Sequence, residues 1–278
     1  MSAEATPAPA GLSARDATLS YGKQPVVEGI DLDIPIGGLT VIVGPNGCGK
    51  STLLKAFARV LKPERGTITL DGKDVHAHRG RAFARNVALL PQSPTAPDGI
   101  SVRDLVRRGR HPHHTLLRQW SPDDERAIAF ALDRTGLDDL ADSRAGALSG
   151  GQGRRAWIAM VLAQETPIIL LDEPTTFLDI AHQYELLELC AELRDEGRTI
   201  AAVLHDLDQA ARFATHLVVM KSGRVVAEGR PHDVLTADLV HDVFGLPCDI
   251  APDPRTGTPM VIPHTRNPLA PTGGSRIG

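Results

Sequence analysis

Apolar and polar residues alternate in short stretches over residues 11–35, interrupted at Tyr21-Gly22 and Glu28-Gly29, the pattern of antiparallel strands joined by turns. The pattern then changes. Residues 38–43 (GLTVIV) form a run of buried-strand type, and residues 50–61 carry apolar positions at helical spacing, with Pro63 placed to stop the helix. A strand at 86–90 ends at Pro91-Gln92, after which the spacing is mainly helical to about Gln164. Strand signals return at 168–171, 199–204 and 217–220, separated by helices such as 180–196. Strands alternating with helices predict a parallel sheet. The expected fold is therefore α/β: an antiparallel β layer, a parallel core over 11–231, and a helical subdomain inserted at about 92–164. Residues 232–278 form a short extension with one helix, a hairpin around 253–257 and a Pro/Gly-rich end expected to be disordered. Residues 1–10 read as a mobile tail, since no basic start followed by an apolar run marks a secretory signal.

A chain of 278 residues buries a full core. Its net charge of −4 offers no basic field to a phosphate backbone, so nucleic acid is not an expected partner. The longest strictly apolar stretch, 156–163, falls far short of the roughly 20 residues needed to cross a bilayer. Three scattered cysteines, Cys48, Cys190 and Cys248, match neither a disulfide framework nor a zinc site and imply a reducing cytoplasm. The histidines His76, His78, His111, His113 and His114 have no accompanying cysteine or carboxylate cluster. They read as surface residues of a polar loop.

The chemistry is carried by three motifs. In GPNGCGKST (Gly44, Pro45, Asn46, Gly47, Cys48, Gly49, Lys50, Ser51, Thr52) the glycines leave room for backbone amides to cradle phosphate at a helix N-terminus. Lys50 is placed to reach the β and γ phosphates, and the Ser51 hydroxyl to ligate magnesium. The run ILLDEP puts Asp172 and Glu173 at the carboxyl end of a buried strand, where ligands gather in open α/β sheets. There Asp172 holds the magnesium through water, while Glu173 accepts a proton from, or orients, the attacking water. The third motif is LSGGQ, in which Ser149, Gly150, Gly151 and Gln152 open an apolar helix. Alone, such a turn is a helix cap; beside the other two motifs it reads as a second anion site.

Together with His205 after a later strand, these motifs resemble the nucleotide-binding subunit of ATP-binding cassette transporters over roughly residues 12–231. The resemblance implies a P-loop NTPase core of RecA-like type, ATP and Mg2+ as ligands, and ATP hydrolysis. It also implies individual roles. Tyr21 resembles the aromatic that stacks on adenine, Gln92 the glutamine linking magnesium to the helical insertion, His205 the switch histidine at the γ-phosphate, and Asp179 the residue that signals across a dimer. In that family each ATP lies between the phosphate loop of one subunit and the LSGGQ of a second, so a homodimer is implied. Further implied partners are transmembrane permease subunits and, indirectly, an extracytoplasmic substrate-binding protein, with this chain peripheral on the cytoplasmic face of the membrane.

Finer wording narrows the branch. DEPTTFLDIAHQ (172–183), WIAMVLAQETP (157–167), HDLDQA (205–210), SVRDLVRRGRHPH (101–113), LLRQWSPDDERA (116–127) and DPRTGTPMV (253–261) resemble ATPase subunits that energise uptake of ferric siderophores. Cobalamin and haem uptake are the alternatives. His111 stands where that group commonly has an aromatic, and Gly153 where a long polar side chain is usual. A glycine there weakens a helix start by up to ~1 kcal/mol relative to alanine. A soluble cassette acting as a switch on ribosomes or DNA is a rival from another class, but such proteins carry two cassettes or a coiled-coil insertion, and neither is present. A nucleotide-binding module without turnover is disfavoured by Glu173 and His205.

Overall fold

The structure, a computed structural model, describes residues 11–22, 24–114 and 120–264. Strands β1 (Leu12–Tyr21) and β2 (Gln24–Ile34) open the chain as an antiparallel pair. Glu28-Gly29 does not end a strand as its turn-like composition predicts. β2 runs through it, with Gly29 left-handed (φ 57°) and the register shifting between Ala17 and Leu19 of β1, so the pair absorbs the irregularity as a bulge. Next come β3 (Leu39–Val43) and helix α1 (Lys50–Phe57). α1 is shorter than its apolar spacing predicts. Arg59 turns left-handed (φ 62°), and the amides of Val60 and Leu61 fold back onto Lys55 O, ending the helix before Pro63 is reached.

β4 (Arg65–Leu70) and β5 (Lys73–Asp74) complete the first sheet in the order β2-β1-β4-β5. α2 (Gly80–Ala84) and β6 (Val87–Leu90) follow. Between β6 and β7 (Ile168–Asp172) lie α3 (Val102–Arg107), α4 (Pro122–Arg134) and α5 (Gly150–Ala163), which pack on one another. α6 (Ile180–Asp195), β8 (Thr199–Val203), α7 (Leu207–Phe213), β9 (His216–Lys221) and β10 (Arg224–Gly229) finish the second sheet. Its order is β10-β9-β3-β8-β7-β6, parallel except for the β9–β10 pair. β4 and β10 go beyond the sequence expectation. β10 has no fully buried residue, so its strand state comes from pairing with β9 rather than from its own apolar pattern.

Successive residues of the central strands serve opposite cores. Val41, Ile169, Leu171, Ile200 and Ala202 face one cluster with the helices α3 to α6. Ile42, Ile168, Leu170, Ala201 and Val203 face a second, shared with α1 and the antiparallel sheet. Both faces are covered, which is why these strands are apolar throughout rather than alternating. After β10, α8 (Pro231–Val234), α9 (Ala237–Phe244) and the hairpin β11 (Cys248–Pro252) with β12 (Pro259–Pro263) join the first cluster through Val234, Val240, Val243 and Cys248. The hairpin docks on α7, where Val261 N donates to Asp208 Oδ1 (2.8 Å) and Arg212 pairs with Asp253. The expected tails 1–10 and 265–278 lie outside the described residues, as do 115–119 of the insertion. Among the described residues no helix is long and apolar enough to cross a membrane.

Candidate functional site

Four neighbouring strands deliver the site. In sheet order β3, β8, β7 and β6 end at Gly44, His205, Asp172-Glu173 and Gln92, all at their carboxyl edges. A cavity of about 570 Å³ there is lined by Asn46 to Thr52 and by Gln92, Glu173, His205 and Val26. Val26 is a lining residue for which the sequence offered no signal.

The loop's glycines are demanded by the fold as much as by phosphate. Gly44 has φ 153°, and a Cβ there would lie 2.2 Å from Met220 O on β9; Gly49 has φ 103°, and a Cβ would meet Val27 Cγ2 at 2.7 Å. Gly49 also leaves α1 without a side-chain cap, so the first-turn amides remain available to an anion. Lys50 Nζ donates to Gly44 O (2.7 Å) and Pro45 O (3.0 Å), which holds the ammonium over the loop. Cys48 is buried under the loop, where loss of water pushes its thiol up, partly offset by Lys50.

Ser51 Oγ donates to Asp172 Oδ1 at 2.7 Å. Asp172 is 1% exposed, and its other oxygen, Oδ2, has no hydrogen-bond partner. Burial raises its carboxyl above the ordinary value, against the opposing bond from Ser51. A buried carboxylate with one free oxygen beside a hydroxyl is an all-oxygen donor set that fits a hard cation such as magnesium. Next to it Glu173 sits left-handed (φ 51°), with His205 Nε2 2.8 Å from Oε1. Burial pushes the Glu173 carboxyl up, but hydrogen bonds from His205 and Gln92 outweigh it, and the group lies below its ordinary value. Glu173 is thus ionised at neutral pH and can accept a proton or orient water.

Other candidate residues lie elsewhere. Tyr21 is 54% exposed and outside the cavity lining, its ring centre 5.9 Å from Lys55 Nζ. Ser149, Gly150, Gly151 and Gln152 line a separate groove of about 520 Å³ with Arg155, Phe177, Leu178, Asp179 and His182. Ser149 and Gln152 form a capping box at the start of α5. Asp179 caps α6 through His182 N (3.0 Å) and also contacts His182 Nδ1 (2.7 Å). The two surfaces expected from the sequence to bind anions therefore lie in separate cavities of the chain.

Arg154 was not singled out from the sequence. It is 4% exposed, and all its hydrogen bonds go to main-chain carbonyls of Pro91, Gln92, Asp172, Glu173 and Pro174. The available signal was a charge four residues before Ile158 on the buried stripe of α5. Among the histidines expected at the surface, His111 is exposed, whereas His113 and His114 depart from that role. His113 Nε2 contacts Gln164 O (2.8 Å), and His114 Nε2 lies 3.3 Å from Asp124 Oδ2, so both are half-buried packing residues.

A phosphate loop, a buried acidic strand end and a histidine at the neighbouring strand define a P-loop nucleotide hydrolase. Residues 27–176 match the ABC transporter family, and the chain belongs to it. It is 50% identical to the ferric enterobactin transport ATP-binding protein FepC of Escherichia coli K12 over 258 residues, 92% of this chain and 95% of that one. It is also 50% identical to a siderophore transport system ATP-binding protein, YusV, of Bacillus subtilis, over 92% of this chain and 93% of the relative. Among solved structures, a metal-chelate type ABC transporter in an inward-facing conformation superposes with TM-score 0.78 at 27% identity, covering 92% of this chain and 98% of that one. A bacterial ABC transporter cassette solved as a dimer superposes with TM-score 0.71 at 26% identity, covering 79% and 98%. Like these transport ATP-binding proteins, the chain binds and hydrolyses ATP.

Proposed function

We propose that this chain is the ATPase of an importer that carries ferric siderophores, working as two copies beneath a membrane permease on the cytoplasmic face, with an extracytoplasmic binding protein delivering the cargo. The observation that carries the hydrolytic half is the convergence of Lys50, Ser51, Glu173, Gln92 and His205 on one cavity, with Asp172 bonded to Ser51 directly behind its wall. Lys50 and the amides of Gly47 to Ser51 bind the phosphates, and Tyr21 flanks the adenine. Ser51 and Asp172, with Gln92, hold Mg2+, which supplies neutralisation of phosphate charge. Glu173 orients the attacking water, and His205 holds Glu173 at one oxygen while facing the γ-phosphate.

The separate groove at Ser149 supports a composite site, in which Ser149, Gly150, Gly151 and Gln152 of a second copy close over the nucleotide and Asp179 reports across the contact. ATP then favours the closed pair because only there does it touch both surfaces. The cargo reading rests on relatives named for siderophore transport at 49–50% identity, against 40% and 41% for those named for hemin and cobalamin import.

The variant Glu173→Gln is expected to keep ATP affinity, lose steady-state hydrolysis by roughly 10²-fold or more and accumulate the closed dimer in size-exclusion chromatography. Lys50→Ala is its contrast and loses ATP binding itself. Near-normal turnover in Glu173→Gln removes Glu173 from this role. Growth of a deletion strain on single ferric chelates under iron limitation tests the cargo, and unaltered iron uptake refutes it.

A further inference from the structure

The guanidinium of Arg154 has five N–H donors and five carbonyl partners. Nε donates to Pro174 O (3.2 Å), Nη1 to Pro91 O (3.0 Å) and Gln92 O (3.2 Å), and Nη2 to Asp172 O and Glu173 O (both 2.7 Å). No carboxylate oxygen is among these partners. Burial without a carboxylate partner is costly for a cation, and loss of water pulls its pKa down to about 10 against the field of Asp172 and Glu173. The same side chain leaves α5 only five residues after its cap Ser149. It therefore ties three things at one point: the helix that begins with Ser149-Gly150-Gly151, the exit of β6 at Gln92, and the exit of β7, where Glu173 is held left-handed.

The geometry points to Arg154 as a positioning residue that couples the tilt of α5 to the placement of Glu173 and Gln92. A movement of the Ser149 end drags the guanidinium, and with it the two peptide segments that carry those side chains. All five carbonyls accept from Arg154 and none belongs to the phosphate loop, so the link acts on turnover and not on affinity. This rests on the reading of Glu173 given above, which Glu173→Gln tests separately.

Arg154→Lys keeps the charge but has one nitrogen with three donors, and Arg154→Gln keeps two donors without the charge. In the full chain both are expected to hold ATP affinity and KM within about threefold while kcat falls about 10- to 100-fold, Arg154→Lys less than Arg154→Gln. Amide hydrogen exchange is expected to rise about tenfold or more at 92, 93, 172, 173 and 175 and to stay unchanged at 44 and 46–52. That local loosening is a readout independent of turnover, so it stands even if Glu173 is not the water-orienting group. The inference is overturned if kcat stays at the wild-type value. It is equally overturned if ATP binding, kcat and exchange protection fall together across the chain, which is the behaviour of a residue needed only for folding.

Discussion

Asp124 and Arg110 form an ion pair inside the helical insertion, 2% and 3% exposed, with Arg110 Nε 2.8 Å from Asp124 Oδ1. Asp124 Oδ2 also receives Ser121 N (2.9 Å) and Ser121 Oγ (2.8 Å), closing the capping box of α4. The substitution Asp124→Ala strands Arg110 in the interior. Breaking a buried pair costs about 3–5 kcal/mol. Arg110 Nη1 keeps Ala163 O and Glu165 Oε2, which places the loss from the pair at the lower end. Losing the capping box contributes about 1 kcal/mol more, giving about 4 kcal/mol in all. At roughly 2–4 °C per kcal/mol the melting temperature falls by roughly 8–16 °C.

The double variant Arg110→Met with Asp124→Leu removes both charges. It is expected to be less destabilised than the sum of its singles, with a coupling above ~1 kcal/mol. The pH dependence carries the same signature. Burial pushes the Asp124 carboxyl up, but bonds from Arg110 and Ser121 hold it well below the usual carboxylate range. Its folded value is therefore depressed, so its contribution is complete above the unfolded value of about 3.9 and is lost as pH falls below that. Denaturant titrations from pH 3 to 7 should show a steeper acid loss in the wild type than in Asp124→Ala. A single variant within ~1 kcal/mol of wild type, or strict additivity in the double, refutes the reasoning.

Two further outcomes follow from the site and its supports. Gly153 lies inside α5, and a Cβ there meets nothing within 4 Å, so Gly153→Ala should stabilise by up to ~1 kcal/mol; an unchanged or lower melting temperature contradicts this. His205→Ala removes a bond that lowers the Glu173 carboxyl and leaves the burial that raises it. Since the ionised form works, activity is lost as pH falls through the folded value, and the acid limb of the residual kcat should move to higher pH; an unmoved limb shows that His205 does not set that carboxyl.

The candidate residues of the site were legible because each piece is local. Gly44 to Thr52, Asp172-Glu173 and Ser149 to Gln152 are contiguous runs whose backbone state is dictated by glycines, a strand end or a cap, and a linear pattern records such features. The central strands were legible for the same reason, since burial on both faces leaves an unbroken apolar run. β4 and β10 were not: β4 is a strand through pairing with β1, far earlier in the chain, and β10 through its hairpin with β9 rather than through an apolar pattern of its own. Nor was the end of α1, where Arg59 turns left-handed ahead of the proline that the pattern offers as the stop.

The sequence by itself thus determined which residues are candidates to bind phosphate, hold a cation and take a proton, because those capacities belong to side chains and short backbone runs. Tertiary structure decided how they meet. The strand order β3-β8-β7-β6, which differs from the order along the chain, lines up Gly44, His205, Asp172-Glu173 and Gln92 on one edge. It also keeps Ser149 to Gln152 in a different groove and gathers five distant carbonyls around Arg154. These are long-range hydrogen-bonding and packing choices, and no local periodicity encodes them.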